Sequence, residues 1–240
     1  MNSFEESPRY YEYSSAAAER ASAFLTAVYM WMCAGLAITA GTAWYIASTP
    51  SLGAAVVANR GLFWVLAIAQ LGIVFTLSAR VEKLAGGTAA VLFVIYSALT
   101  GATLSVLLRA YTGESIATTF VVAVGMFGAM AIYGTVTKRD LGGLGQFLFM
   151  GLIGVVLASI VGLFWRSDAF QFALSIVGVG VFAGLAMYDA QRLKRMALET
   201  PAGQLSSYAI VGALALYLNF TNLFLFLLRF TGNRRGGSWS

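Results

Sequence analysis

The sequence predicts an all-α membrane protein built from seven transmembrane helices. Of its 240 residues, 59% are hydrophobic and only 10% are charged, which lies far outside the range of soluble globular chains. Seven stretches without a charge, 24–47, 61–79, 84–108, 115–137, 144–165, 169–188 and 206–228, are each long enough to cross a hydrocarbon core of ~30 Å. The connections between them are too short for a soluble domain. The chain therefore divides into an N-terminal tail (1–20), one seven-helix transmembrane domain (21–231) and a short C-terminal tail (232–240).

The tail MNSFEESPRYYEYSSAAAER mixes glutamates with two arginines and has no basic n-region, so it reads as a retained, disordered cytoplasmic segment and not as a signal peptide. Counting Lys and Arg in the short flanks places Arg9, Arg20, Arg80, Lys83, Lys138, Arg139, Arg192, Lys194 and Arg195 on one side. That excess puts the N-terminus in the cytoplasm, with Arg229 beyond the last span on the far side. Within the spans, Gly180 with Gly184, Ala98 with Ala102, and Gly125 with Gly128 are spaced to let helices approach, and they read as packing faces. LGGLGQ (141–146) reads as a glycine-rich turn before the fifth span, lacking the lysine of a phosphate-binding loop.

Several chemistries are excluded by what the chain lacks. Histidine is absent, which removes the commonest general base, a common zinc ligand and the usual switch near neutral pH. Rhomboid-type and HExxH-type proteolysis both require it. Cys33, the single cysteine, lies within the first span and reads as a small packing residue. The net charge of +5 follows from membrane topology, and no basic face with stacking aromatics points to nucleic acid. No cofactor is implied.

An ionisable side chain inside a membrane span is costly, about 2.5 to 3.5 kcal/mol at the bilayer centre on insertion scales, so its position asks for a reason. Asp189 is such a residue, in GLAMYDAQRLKRM at the end of the sixth span. The seventh span, ALALYLNFTNLFLFLLRF, carries two carboxamides, Asn219 and Asn222. If helix six runs to about Leu198 and helix seven starts near Ser206, Asp189 and Asn219 lie at comparable depth, ~13 and ~20 Å from the connecting loop. They can then face each other. Arg192 is a candidate ion-pair partner three residues on, while Tyr188 and Gln191 flank the acid and are candidates to orient it. Asn222 extends the polar face or bonds a neighbouring helix.

AMYDAQRLK, followed thirty residues later by LYLNFTNLFLFLLRF, with LTGATLS in span three and FGAMAIYGTVTKRDL closing span four, resembles the Bax inhibitor family. That family is also called the transmembrane Bax inhibitor motif or YccA-like family, and the likeness covers residues from about 20 to 231. The resemblance implies a seven-helix fold whose last helix is held centrally by the other six. It further implies either a pH-sensitive leak for calcium or other cations, or a regulator that binds another membrane protein such as a quality-control protease.

In channel-like members a pair of aspartates on helices six and seven is thought to share a proton and latch the pore. Asp189 matches the first, whereas Asn219 stands where the second would be. An arginine at the end of helix two is implied to pair with the helix-six acid, which makes Arg80 the candidate. An amide imitates a protonated carboxyl group by donating to the remaining carboxylate, so the pair reads as a latch held in its singly protonated form. A presenilin-like protease would need a second aspartate on the seventh helix. None stands there, and the chain is expected not to be an enzyme.

Overall fold

The computed structural model describes residues 8–165, 167–233 and 235. Its helices, in chain order, are α1 (Pro8–Ser48), α2 (Pro50–Ala58), α3 (Arg60–Ala79), α4 (Gly86–Ala110), α5 (Gly113–Val136), α6 (Gly142–Phe164), α7 (Asp168–Glu199) and α8 (Leu205–Thr231). All but α2 contain a stretch long and apolar enough to cross a membrane. The outward faces carry exposed Ile68, Leu71, Phe75, Val121, Ile132 and Phe147. Side chains of this kind are stable outside only against lipid.

Local chemistry sets the helix ends. Asn59, Thr112 and Ser167 precede α3, α5 and α7, and each side chain accepts a first-turn backbone N–H, from Leu62, Ser115 and Phe170. Glu114 and Asp168 add negative charge to the first turns of α5 and α7. Pro50 opens α2 at a position where its missing N–H costs nothing. Helix α2 was hidden in the sequence because at nine residues it is too short to read as a span. Two expectations are corrected. Helix α1 begins at Pro8, so the tail is helical from that residue onward, and its first seven residues lie outside the described set. LGGLGQ is the start of α6, since Gly142 is already helical, and not a turn. At the other terminus, the Asn233 carbonyl accepts from Thr112 and Arg235 donates to the Ala110 carbonyl, pinning the chain after α8 onto the α4–α5 connection.

Helix α8 is the centre of the bundle. Of its most apolar stretch 67% is buried, against 6% for α3 at the periphery. It packs on α1, α4, α5 and α7 and meets α3 at its edge, while α6 leans on α7 and closes the ring around a cavity shared with α8. Aromatic rings radiate from it: Tyr217 meets Phe93 and Tyr96 of α4, Phe220 meets Phe120 and Phe127 of α5, and Phe226 stacks on Phe182 of α7. Ring centroids 5.5 to 5.8 Å apart in these five pairs are within the range where aromatic pairs attract beyond simple area burial.

Close backbone approach occurs at glycines other than most of those read from spacing. Gly184 does pack, against Leu148 of α6, but Gly125, Gly128 and Gly180 face open space. Cys33 is exposed, so it is not a buried packing residue. The tightest crossings are Gly134 of α5 against the Met187 carbonyl of α7 and Gly101 of α4 against the Thr39 carbonyl of α1. A Cβ at Gly134 would overlap that carbonyl, and backbone cannot rotate away as a side chain can. Gly134→Val is therefore expected to cost about 1 to 3 kcal/mol. Gly125→Ala, in open space, should be neutral or slightly stabilising. Thermal unfolding in detergent checks the pair, and equal midpoints for the two variants would refute the crossing geometry.

Candidate functional site

The centre of the candidate site is a contact between α7 and α8. Asn219 Nδ2 donates to Asp189 Oδ2 at 2.7 Å. Asn219 is buried at 7% exposure and Asp189 is partly buried, so the bond forms away from bulk water. The orientation of the amide is decided by chemistry, because turning its oxygen to the carboxylate would set two acceptors against each other. A hydrogen bond to an ionised group contributes about 1.5 to 3 kcal/mol, and here it joins the central helix to its most extensive neighbour. The two residues meet because the loop after Glu199 is short and the helices run antiparallel.

The other residues read from the sequence are placed differently. Arg192 is exposed one turn beyond Asp189, where it acts on the carboxylate through space without an ion pair. Arg80 caps the C-terminus of peripheral α3, exposed, and makes no pair with Asp189, since α3 packs on α4 and only edges α8. Tyr188 lies over Gly145 of α6 and not against the acid. Gln191 turns to the α5–α6 connection: its Oε1 accepts from Leu141 N–H at 3.0 Å and its Nε2 donates to the Arg139 carbonyl at 2.8 Å. Neither flanking residue orients Asp189. Asn222 donates to the Leu218 carbonyl at 2.8 Å and lines a cavity of about 400 Å³ with Ser159, Gln171 and Arg229.

Around Gln191 the α7 extension forms a clamp. Arg195 pairs with Asp140, and Lys194 Nζ donates to the Thr135 carbonyl at 3.0 Å, at the C-terminal end of α5 where a cation is favoured. At the same end of the bundle, the Arg20 guanidinium donates to the Thr200 carbonyl and ties α1 to the α7–α8 connection. Bonds from Arg195 and from the Gly142 N–H hold the Asp140 carboxyl below its usual value near 3.8.

A hydroxyl cluster that the sequence reading missed occupies the opposite face of α8. The Tyr217 hydroxyl lies 2.6 Å from Thr39 Oγ1, which itself sits 2.9 Å from the carbonyls of Gly35 and Ser97. Thr39 has one proton, shared between those carbonyls, so Tyr217 is the donor into Thr39. Thr100 and Thr221 lie beside the same hydroxyl. Thr100 also bonds Gln70 Oε1 at 3.1 Å, and Gln70 Nε2 donates to Thr103 at 2.9 Å. The available signal was the threonines of LTGATLS at turn spacing in an otherwise apolar span.

The sequence profile of the family described as Inhibitor of apoptosis-promoting Bax1 matches residues 21–236. The chain belongs to the Bax inhibitor family. It is 50% identical to the inner membrane protein YbhL of Escherichia coli (strain K12) over 215 residues, which cover 88% of this chain and 92% of that protein. It is similar to a protein of Deinococcus radiodurans at 44% identity over 213 residues, covering 88% and 90%. A Borreliella burgdorferi protein is 41% identical over 214 residues, covering 88% and 92%. As a family member the chain is an integral membrane protein. Oxygen donors at the α7–α8 contact are the Asp189 carboxylate and the Asn219 carbonyl. Among the described residues no three acidic, cysteine or histidine side chains cluster as they would around a metal ion.

Replacing Gln191 with Leu removes the acceptor for Leu141 N–H and the donor to the Arg139 carbonyl. The expected loss is about 1 to 3 kcal/mol, read as faster hydrogen exchange at the Leu141 amide. The depressed Asp140 carboxyl contributes stability above its unfolded value, and that contribution disappears as pH falls through the lower folded value. The ion pair to Arg195 should consequently persist from pH 8 down to about 4, and an Asp140 titration midpoint above the ordinary aspartate value would contradict it.

Proposed function

We propose that the protein is a non-catalytic, passive leak pathway for cations across the membrane, held closed by the hydrogen bond between Asp189 and Asn219. The 2.7 Å contact between an acid on α7 and an amide on central α8 is the observation that supports this reading. An ionisable residue at such a position is retained where it does work, and here its partner lies on the helix that every conduction route past the bundle centre must pass. The route we assign begins in the cavity between α6, α7 and α8 at Asn222, passes Asn219 one turn along α8, and leaves beside the α7 extension.

Selectivity for calcium is not part of the proposal. A calcium site normally gathers several oxygen ligands and more than one carboxylate, whereas this contact offers one of each kind of group. Arg229 at the mouth of the cavity, bonded to Gln171 at 3.2 Å and set over the Phe226 ring, disfavours concentrating divalent cations there. We place the N-terminus in the cytoplasm on the distribution of Lys and Arg, and the protein in a bacterial inner membrane by its similarity to the E. coli inner membrane protein YbhL.

With a single titrating group at the contact, the leak responds weakly to pH. Asn219→Asp supplies a second carboxyl group that cannot ionise cheaply beside the first, so the contact loosens as pH rises through loss of the shared proton. Flux of that variant should become steeply pH-dependent in liposomes, with potassium and calcium compared. Asp189→Asn keeps an amide hydrogen bond, removes the charge and should flatten the residual dependence. Superimposable pH profiles for the natural protein and both variants would sink the latch.

A further inference from the structure

A lipid-facing groove and a basic pocket meet beside α5, and neither takes part in the α7–α8 contact. Helices α1 and α5 both lean on α8 but stand apart from each other. Between them runs an apolar groove of about 690 Å³, floored by Phe220 and walled by Met32, Leu36, Phe127, Gly128 and Ala131. Past Phe120 and Ala40 it continues into a second cavity of about 180 Å³ that ends near Trp44 and Ile116. From Ile116 to Val136 the groove follows α5 for about 30 Å, the thickness of the hydrocarbon layer. Its other end reaches Thr135.

Thr135 also lines the second feature, a pocket of about 410 Å³ formed by Thr137, Lys138, Arg139, Asp140, Lys194 and Arg195 where α5 ends. Four cations and one carboxylate meet there. Asp140 is already paired with Arg195, and Lys194 spends one donor on the Thr135 carbonyl. The side chains of Lys138 and Arg139 are exposed and, among the described residues, form neither a hydrogen bond nor an ion pair. The pocket thus carries unmatched positive charge at the level where a span leaves the membrane.

We propose that this composite site binds an anionic phospholipid, its phosphate held by Lys138, Arg139 and Lys194 and one acyl chain lying in the groove between α1 and α5. Charge complementarity selects the occupant: a zwitterionic lipid or an apolar helix would fill the groove and leave Lys138 and Arg139 without an anion. The arginine offers a planar set of donors that suits phosphate oxygens, and the lysines add point charge. Joining the two parts through Thr135 puts headgroup and chain on one molecule.

The test uses the purified full chain in non-ionic detergent, titrated with phosphatidylglycerol, phosphatidylcholine or water-soluble glycerol 1-phosphate. Bound molecules are counted by native mass spectrometry. Cys33, the single cysteine, is exposed within the groove, so its rate of alkylation by a maleimide reports whether the groove is filled. Phosphatidylglycerol should be retained at least tenfold more tightly than phosphatidylcholine and should slow alkylation. The double variant Lys138→Gln with Arg139→Gln should weaken it about fivefold for each charge removed. Gly128→Leu should weaken it independently, since Gly128 lines the groove and a Cβ there meets no atom within 4 Å. Gly180→Leu, equally unobstructed but on α7 away from the groove, should bind as the natural protein does. Equal retention of the two lipids, an unaltered affinity in Gly128→Leu, or binding of glycerol 1-phosphate as tight as that of phosphatidylglycerol would each overturn the proposal, the last by assigning the pocket to free phosphate.

Discussion

The constraint on which the bundle depends is that α8 is surrounded by protein along most of its length while still carrying polar side chains. In lipid a polar group can turn to an interface or be absent, but a residue such as Tyr217, fully buried, must find its partner on a neighbouring helix. The chain meets that requirement on two opposite faces. Residues two apart on a helix point about 200° from each other. Tyr217 accordingly donates toward α1 and α4 through Thr39, and Asn219 donates toward α7 through Asp189. Only one of the two links involves a charge. The hydroxyl link joins neutral groups, whereas the link to Asp189 joins an amide to a carboxylate. The central helix is thus tied to its neighbours on both faces, by hydroxyls on one and by an acid on the other.

The rest of α7 supports that asymmetry. Beyond Asp189 it runs on as an extension whose Gln191, Lys194 and Arg195 bind the α5–α6 connection through two backbone carbonyls, one backbone N–H and the Asp140 carboxylate. Gly134, two residues before the end of α5, lies directly against Met187. Helices α5 and α7 are therefore joined above and below the level of Asp189, by backbone contact on one side and by the clamp on the other. The acid that bonds Asn219 is thus carried on a stretch of α7 fixed to α5 and its following loop on both sides.

The fold was legible in the sequence because insertion into a bilayer is read residue by residue from hydropathy, and each of the seven spans contains most of one charge-free stretch, the sixth running on past its stretch to Glu199. Depth along a helix was legible too. A rise of about 1.5 Å per residue from a short loop put Asp189 level with Asn219, and the bond between them follows. Azimuth was not. Gln191 lies about 200° around α7 from Asp189 and Tyr188 about 100°, so proximity in sequence carried them to the α5–α6 loop and to Gly145 instead. Arg80, named on the family resemblance, is not beside Asp189, because α3 occupies the rim and packs on α4.

Glycine shows the same division between what spacing reveals and what rotation conceals. Pairs three or four apart mark one stripe of a helix, yet the stripe may face a neighbour, lipid or a groove. Gly184 faces Leu148, while Gly180, one turn earlier, faces nothing and Gly128 opens onto the gap between α1 and α5. The closest backbone crossings fall at Gly101 and Gly134, neither of them in a glycine pair, and each is marked by the carbonyl it admits. A backbone crossing needs one residue without a side chain at one height, and a repeated motif is needed only where two helices stay parallel over several turns. In this bundle α5 and α7 come closest where Gly134 admits the Met187 carbonyl. Two residues past that carbonyl, α7 carries the acid that bonds α8.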